Sequence, residues 1–316
     1  EIKELTTRKD FPMSDQSRIR HAFENAPVFP MNARMRYVLF SDCHRGDGSS
    51  NDNFLKNQNL YFTALRHYYD RGYIYIELGD GDELWENRKM SQIIELHSNV
   101  FWLLSLFHQR NRLIMLYGNH DMEKKKPGYS DTVCSSYFCT QTQCMQPLFP
   151  GLTFYEGIIL ENPCSGLRLY LTHGHQADAL NSTFWKLARF LVRYLWRPLE
   201  HFGVLDPTSA AKNYVCKDRV EQRLSSYASE HQMPLITGHT HRPRLHAASP
   251  YYMNTGSCVH PRCVTCIELE NNQLSLVKWA LSVRRDQTLF VERTVLSSLR
   301  LDKEIFSKDR PENNIN

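Results

Sequence analysis

Short clusters of histidine, aspartate and asparagine recur along the 316-residue chain and carry groups suited to metal chemistry. The five clusters are Asp42-Cys43-His44, Gly79-Asp80-Gly81-Asp82-Glu83, Gly118-Asn119-His120-Asp121, His173-Gly174-His175 and Gly238-His239-Thr240-His241. Imidazole suits zinc, iron and nickel, whereas carboxylate and amide oxygens suit manganese and magnesium. A site with both kinds of donor can hold two divalent cations, which lower the pKa of a bound water and neutralise the oxygens of a reacting phosphoryl group.

Each cluster follows a run of residues that predicts a buried strand. These runs are apolar and rich in β-branched or aromatic residues, and they span 36–41, 73–79, 112–117, 167–172 and 233–237. Helical spacing of apolar residues predicts helices over 53–71, stopped by Gly72, and over 91–110. This alternation indicates a mostly parallel sheet with right-handed crossovers. Because strand C-termini converge on the ligand crevice of such sheets, we expect the five clusters to meet.

The remaining segments predict the domain organisation. We expect an N-terminal arm over 1–35, a catalytic domain over 36–300 that contains a helical insertion at 178–230, and a flexible tail over 301–316. Residues 122–150 have the composition of an irregular loop. Further strands are predicted at 152–160, 251–255 and 263–295, where Asn271-Asn272 is typical of a hairpin turn.

The ordered set of clusters resembles the calcineurin-like metallophosphoesterase family, whose pattern is D-x-H, G-D-x-x-[D/E], G-N-H-[D/E], H and G-H-x-H. The resemblance implies an α/β fold: a β-sandwich flanked by helices in αββα layers. It also implies a dinuclear site of manganese, or of iron or zinc, and in-line attack of metal-bound hydroxide on a phosphodiester or pyrophosphate bond. The implied metal ligands are Asp42, His44 and His241 for one ion, Asn119, His173 and His239 for the other, and Asp80 as the bridge. His120 would stabilise or protonate the leaving oxygen, and Glu83 would orient it.

Some assignments stay open at this stage. Asp82 is the alternative to Asp80 as the bridging ligand, although the apolar strand ends at Asp80. His175 is the alternative to His173. Arg45 and Arg88 follow motif blocks, and each is a candidate either for bidentate phosphate binding or for a surface salt bridge.

Other motifs have a plainer explanation. Any single aspartate after a strand is most often a helix cap or a turn residue, and only the ordered set favours metal binding. Cys263-x-x-Cys266 lacks the second pair that a zinc site needs, so we read it as part of a buried strand.

The insertion contains an amphipathic stretch at 184–202. Its basic residues fall three or four apart and share one helix face: Lys186, Arg189, Arg193 and Arg197. Apolar side chains occupy the rest of the surface. This pattern predicts either a membrane-surface helix or lid over an amphiphilic substrate, or an ordinary helix packed on the core with solvated arginines.

A helical insertion at this point, with Leu84-Trp85 after the second block, resembles the UDP-2,3-diacylglucosamine pyrophosphatases of lipid A synthesis. In that branch the insertion is a cap that holds acyl chains, and arginine stands where this chain has His120. The resemblance implies a pyrophosphate-linked or nucleotide-linked substrate, including a lipid. The alternative functions are a phosphomonoesterase or protein phosphatase, and a cyclic-nucleotide phosphodiesterase.

The composition is that of a globular protein, with 41% hydrophobic and 23% charged residues. A net charge of +4 suits an anionic substrate but is too small to indicate nucleic-acid binding. The nine scattered cysteines favour a reducing compartment, and no apolar run reaches the roughly 20 residues that span a bilayer. We therefore expect a cytoplasmic protein. If 184–202 forms a membrane-surface helix, this segment would attach the protein to the inner face of the membrane.

Overall fold

The structure is a computed structural model that describes residues 14–49, 52–139, 142–196, 214–301 and 306. The strands in these ranges are β1 Val28–Pro30, β2 Tyr37–Phe40, β3 Ile74–Leu78, β4 Leu113–Leu116, β5 Ser136–Cys139, β6 Cys144–Pro147, β7 Phe154–Tyr155, β8 Gly157–Glu161, β9 Arg168–Thr172, β10 Leu235–Thr237, β11 Tyr252–Asn254, β12 Cys263–Glu270, β13 Gln273–Val283 and β14 Leu289–Arg300. The α-helices are α1 Asp15–Glu24, α2 Gln58–Asp70, α3 Met90–Leu96, α4 Ser98–Gln109, α5 Tyr129–Val133, α6 Ala179–Ser182, α7 Trp185–Leu191 and α8 Tyr214–Glu230. A π-helical turn, Val192–Trp196, continues α7.

Two sheets form the centre of the molecule. The larger has seven strands in the order β14-β13-β12-β2-β3-β4-β7, and β2, β3, β4 and β7 run parallel. The smaller has five strands in the order β1-β8-β9-β10-β11. The β5–β6 hairpin stands apart from both sheets.

Alternation of side chains along the central strands decides how the layers pack. In β2, Val38 and Phe40 face the helices, whereas Tyr37 and Leu39 face the smaller sheet. Aliphatic residues from both sheets fill the space between them. Helices α2 and α4 cover the outer face of the larger sheet, and α1 and α8 cover the smaller one. The predicted αββα sandwich is therefore confirmed.

The predicted arm and insertion are more integrated than expected. Helix α1 packs on the smaller sheet, and β1 pairs with β8, so residues 14–30 belong to the sandwich. Helix α8 also lies on that sheet through Leu224 and Tyr227. The part of the insertion that can act as a cap is therefore 179–196 among the described residues. Residues 1–13, 50–51, 140–141, 197–213, 302–305 and 307–316 lie outside the described ranges.

Three local predictions were wrong. The predicted helix over 91–110 is two helices, because the backbone leaves the helical region at His97, whose ring bonds to Asp52 and Gln58. The predicted loop over 122–150 contains α5 and the β5–β6 hairpin, and exposed and buried residues alternate along β5. The predicted strand over 152–160 is divided between the two sheets at Gly157, where a side chain would overlap the carbonyl oxygen of Ala22.

Two further predictions concern the C-terminal region: the hairpin turn at Asn271-Asn272 and the tail over 301–316. Asn271 and Asn272 both have positive φ, at 53° and 57°, which confirms the hairpin turn between β12 and β13. In the predicted tail, the backbone oxygen of Phe306 accepts a hydrogen bond from the Tyr251 hydroxyl at 2.6 Å. Among the described helices, none has the length and apolar character needed to cross a bilayer.

Phe40 tests the packing of β2 on the helices. Its ring is fully buried and contacts Tyr61, Tyr68 and Tyr75 with centroid distances of 5.3, 5.9 and 5.8 Å. We expect Phe40→Ala to lower the free energy of unfolding by about 3–5 kcal/mol, because the cavity cannot collapse between rigid rings. Urea unfolding in excess chelator measures this change without metal effects. The control Leu281→Ala, on an exposed part of β13, should change it by less than about 0.5 kcal/mol; equal losses would contradict the account.

Candidate metal centre

The five clusters meet where strands of the two sheets end. Asp42, Asp80 and Asn119 follow β2, β3 and β4 of the larger sheet, whereas His173 and His239 follow β9 and β10 of the smaller one. The edge of the sandwich therefore brings together side chains that are far apart in sequence.

Backbone strain is concentrated at the same place. Five of the predicted ligands have a left-handed backbone, with φ between 47° and 68°: Asp42, His44, Asp80, His239 and His241. Residues other than glycine rarely adopt this region, and where they do the cost is about 1–3 kcal/mol each. The surrounding structure holds these side chains in directions that an unstrained chain would not favour.

One group of ligand atoms joins Asp42, His44 and His241, all within 4.8 Å of one another. Nε2 of His241 lies 3.1 Å from Oδ1 of Asp42 and 3.3 Å from Nε2 of His44. This is the first of the two predicted ligand sets.

A second group joins Asp80, His173 and His239 in the same way. Nε2 of His173 lies 3.1 Å from Oδ2 of Asp80 and 3.2 Å from Oδ1 of Asn119, which brings all members of the second predicted set together. The same oxygen of Asp80 is 3.8 Å from Nε2 of His44. Asp80 therefore touches both groups, as a bridging ligand must.

The donors fit divalent cations. Nε2 of His239 is buried and has no hydrogen-bond partner, and the nearest carboxylate oxygen, on Asp178, is 3.8 Å away. A buried ring nitrogen without a partner is costly unless a ligand satisfies it. The mixture of imidazole, carboxylate and amide groups matches zinc, iron or manganese.

The imidazoles are aimed by groups behind them. Nδ1 of His173 donates to the carbonyl oxygen of Leu78 at 2.8 Å, which leaves Nε2 facing Asp80. Nδ1 of His44 donates to Glu83 at 2.9 Å. Such partners fix the tautomer and the orientation of a metal-binding histidine. The sequence indicated Glu83 as the partner of His120 alone, so its contact with His44 is an addition.

Mutual attraction keeps the buried groups charged. Burial alone would raise the pKa of Asp42, but His241 and His44 beside it hold the pKa well below its ordinary value. Burial opposes protonation of His173, yet Asp80 raises the pKa of this ring to about 9. A cation bound by His173 would therefore compete with the proton that Asp80 stabilises on this ring.

His120 lies beside both groups. Its Nδ1 donates to Oε1 of Glu83 at 2.8 Å, and its ring stacks on Trp85 with a centroid distance of 4.3 Å. Burial lowers the pKa of His120, but Glu83 and Asp80 outweigh it and raise the pKa above its ordinary value. The contact with Trp85 was not predicted, although this residue is the second after the end of the second cluster.

Two glycines of the clusters allow the backbone to approach the ligands closely. A side chain on Gly118 would overlap the carboxylate of Asp80, and one on Gly238 would overlap the carboxylate of Asp42. Neither has a positive φ. These two glycines are therefore required because a side chain would not fit beside the carboxylates.

Arg45 does not face the substrate. It is fully buried, donates to both oxygens of Glu77 at 2.9 Å, and pairs with Asp82 at 2.7 Å. This placement contradicts its predicted role in phosphate binding and the alternative surface salt bridge. It also removes Asp82 as a bridging ligand, because Arg45 and Lys124 occupy its carboxylate.

Asp121 organises the backbone beneath the ligands, which the sequence did not reveal. Its carboxylate accepts the N–H groups of Asp80, Gly81 and Gly118 at 3.3, 3.1 and 2.6 Å. Lys124 lies 2.6 Å from it and 2.7 Å from Asp82. The buried charges thus connect the loops after β3 and β4.

The other two candidates lie at the margin. Arg88 is exposed and donates to the Tyr194 hydroxyl at 2.7 Å, so its predicted contact with substrate stays a prediction. His175 is buried 5.5 Å from His173, ring centre to ring centre, and its Nδ1 has no partner. It belongs to neither ligand group among the described residues.

The comparisons with known proteins agree with this geometry. Residues 35–243, more than half of the chain, match the family described as Calcineurin-like phosphoesterase. The chain belongs to the calcineurin-like phosphoesterase family. It is therefore a metal-dependent phosphoesterase, a hydrolase that uses divalent cations.

Two solved structures show similarity to this phosphoesterase. Vacuolar Protein Sorting 29 from Cryptosporidium parvum is 13% identical, with 83% of this chain and 99% of that chain covered and a TM-score of 0.36. A single mutant of Vps29 from Entamoeba histolytica is 14% identical, with 83% and 100% covered and the same TM-score of 0.36. A search of the curated proteins found no match.

Arg45 tests the buried charge network. Arg45→Met leaves Glu77 and Asp82 without their main cationic partner, so we expect the free energy of unfolding to fall by about 3–5 kcal/mol. The control is Arg66→Met, because the Arg66–Asp70 pair is half exposed and should contribute less than about 1 kcal/mol. Thermal unfolding of both variants gives the comparison, and a stable Arg45 variant would contradict the network's role.

His239 tests the second ligand group. The phosphoesterase purified in excess Mn²⁺ should retain two ions per chain. His239→Ala should retain about one, because the substitution removes a ligand of one of the two ions. Mass spectrometric metal analysis after desalting measures the stoichiometry. His246→Ala, at an exposed histidine, is the matched control and should keep both ions; two tightly held ions in His239→Ala would exclude it as a ligand.

Proposed function

We propose that this phosphoesterase hydrolyses a phosphodiester or pyrophosphate bond in a substrate with an apolar portion. The proposal rests on the position of α7 and the following π-helical turn. Both pack against the loop Glu83–Asn87, which contacts His120. Ala188 and Val192 pack on Trp85, whose ring in turn stacks on His120. A helix that packs on the direct neighbour of His120 restricts access by a protein surface and favours a small or lipidic substrate.

The outer face of this cap helix supports an amphiphilic substrate. Four large apolar side chains on it are about half exposed: Phe184, Leu187, Phe190 and Tyr194. Arg189 and Arg193 face the domain instead, so the predicted solvated arginines are wrong at these two positions. Arg197 of the predicted basic face lies outside the described residues. The exposed apolar row also favours peripheral contact with a membrane through this segment, which remains a proposal.

The chain's own groups divide the reaction between them. When bound, the two cations activate water and neutralise charge on the phosphoryl oxygens; manganese is the proposed metal, with iron and zinc as alternatives. Asp42, Asp80 and the four histidines of the ligand groups fix where the phosphoryl group sits. His120, with Nδ1 engaged by Glu83, holds a proton at Nε2 for the leaving oxygen.

Within this class we propose a UDP-sugar lipid or a related lipid pyrophosphate as the substrate. The cap and the Leu84-Trp85 extension of the second cluster support this choice. The proposed compartment is the cytoplasm or the inner membrane face, consistent with nucleotide-linked lipids. The alternative is a phosphomonoesterase, for which an open site would be expected.

The decisive experiment compares bond types with Mn²⁺ present. We expect hydrolysis of bis-p-nitrophenyl phosphate to exceed that of p-nitrophenyl phosphate, and UMP to be released from a UDP-sugar lipid. Asp80→Ala should reduce the diester activity by at least about 100-fold, because both ligand groups lose a member. Glu95→Ala, at an exposed acid away from the site, is the control.

The outcomes separate the hypotheses. Preference for the monoester, with inorganic phosphate as the sole product, would establish the alternative. Full activity in excess chelator would contradict metal-dependent hydrolysis altogether.

A further inference from the structure

The cap carries a side chain that is bonded to the loop behind His120. Nε of Arg193 donates to the carbonyl oxygen of Trp85, and Nη2 donates to that of Leu84, both at 2.8 Å. The guanidinium thus holds two consecutive carbonyl groups from a helix more than 100 residues away in sequence. Two parallel N–H donors in a rigid plane restrict both the position and the rotation of the peptide that they hold.

The loop in question, Glu83–Asn87, determines where His120 points. Glu83 holds Nδ1 of His120, and the indole of Trp85 lies flat on the ring with an interplanar angle of 21°. The loop is also bonded within itself, because the side chain of Asn87 donates to the Glu83 carbonyl oxygen at 2.9 Å. A shift of residues 84 and 85 would therefore be transmitted to both groups that orient His120.

The cap also contacts the chain just after His120. Arg189 pairs with Glu123, which lies in the turn that follows Asp121. The cap is thus bonded on both sides of His120, and Arg189 and Arg193 differ in what they bond to. Among the described residues, Arg189 bonds to a side chain, whereas Arg193 bonds to the backbone of the orienting loop.

We propose that Arg193 is a positioning residue that couples the seating of the cap to the orientation of His120. The inference rests on the proposed function, since it gives His120 the leaving oxygen as its target. It goes further by making the cap part of the catalytic apparatus as well as a cover for the substrate. Substrate that seats the cap would then align His120 through the backbone of Leu84 and Trp85.

The test uses a small substrate that does not need the apolar face of the cap. With bis-p-nitrophenyl phosphate, Arg193→Met should lower kcat about 10- to 100-fold and leave KM within about 3-fold, because a misplaced group costs rate rather than binding. Arg193→Lys, which keeps the charge and one donor nitrogen but loses the planar pair of donors, should recover part of the loss. The matched control Arg189→Met loosens the cap without touching the loop, so its kcat should stay within about 3-fold.

A double-mutant cycle distinguishes positioning from general damage. His120→Gln alone should lower kcat about 100- to 10,000-fold, as expected for loss of acid catalysis. If Arg193 acts through His120, then Arg193→Met should cause no further loss in the His120→Gln background. An undiminished loss in that background, or a raised KM with unchanged kcat, would overturn the proposal.

Hydrogen exchange gives a readout that does not depend on turnover. Amides of residues 84–87 should exchange faster in Arg193→Met than in Arg189→Met, with metal content equal in both. Equal exchange would overturn the role of Arg193 even in an active enzyme. If the wild-type protein fails to cleave the diester, the proposed function is lost, while the exchange comparison still decides whether Arg193 orders the loop.

Discussion

Burial of charge is the constraint on which the site depends. The carboxylates of Asp42, Asp80 and Glu83 are almost completely removed from solvent at one edge of the sandwich. An isolated carboxylate in such a place would take up a proton and lose its ability to bind a cation. His241 and His173 from the opposite sheet keep Asp42 and Asp80 ionised, together with His44 and His120 of the same sheet. His120 and His44 also keep Glu83 ionised. The meeting of two sheets at their strand ends is therefore what makes the donor set chemically usable.

The same constraint explains the charged residues that do not touch the ligand groups. Arg45 and Lys124 compensate Glu77, Asp82 and Asp121 in the layer beneath. Asp121 in turn accepts N–H groups from the loops that carry Asp80 and Asn119. Removing any one of these charges would leave another unpaired in the interior, which costs more than the pair contributes. The layer therefore acts as a rigid support for strained ligand loops.

The ligand groups and the proposed cap lie on different parts of the fold. The sandwich supplies every residue of the two ligand groups, whereas the cap supplies none of them. Only part of the insertion is available for substrate selection, because α8 is used to cover the smaller sheet. The contacts of Arg189 and Arg193 nevertheless bind the cap to the loops on either side of His120. A change in the cap would thus leave the ligand groups in place and act on His120 through these two loops.

By itself the sequence determined the strands that end at the site and the candidate members of the ligand groups. Buried strands are recognisable from local runs such as 36–41, and residues at their ends converge whatever the details of packing. The sequence also determined the Asn271-Asn272 turn, because its backbone requirement is local. These features depend on neighbours within a few positions.

Tertiary structure alone decided the direction of particular side chains. Asp80 and Asp82 are two residues apart, and only the buried Arg45 and Lys124 draw Asp82 away from the ligand groups. Likewise, the amphipathic pattern of α7 does not determine whether its apolar face or its basic face turns toward the domain. Its arginines face the domain because their bonding partners lie on that side: Glu123 and the carbonyl oxygens of Leu84 and Trp85. Partners so distant in sequence leave no local signal, since their energy appears only when the fold has brought them together.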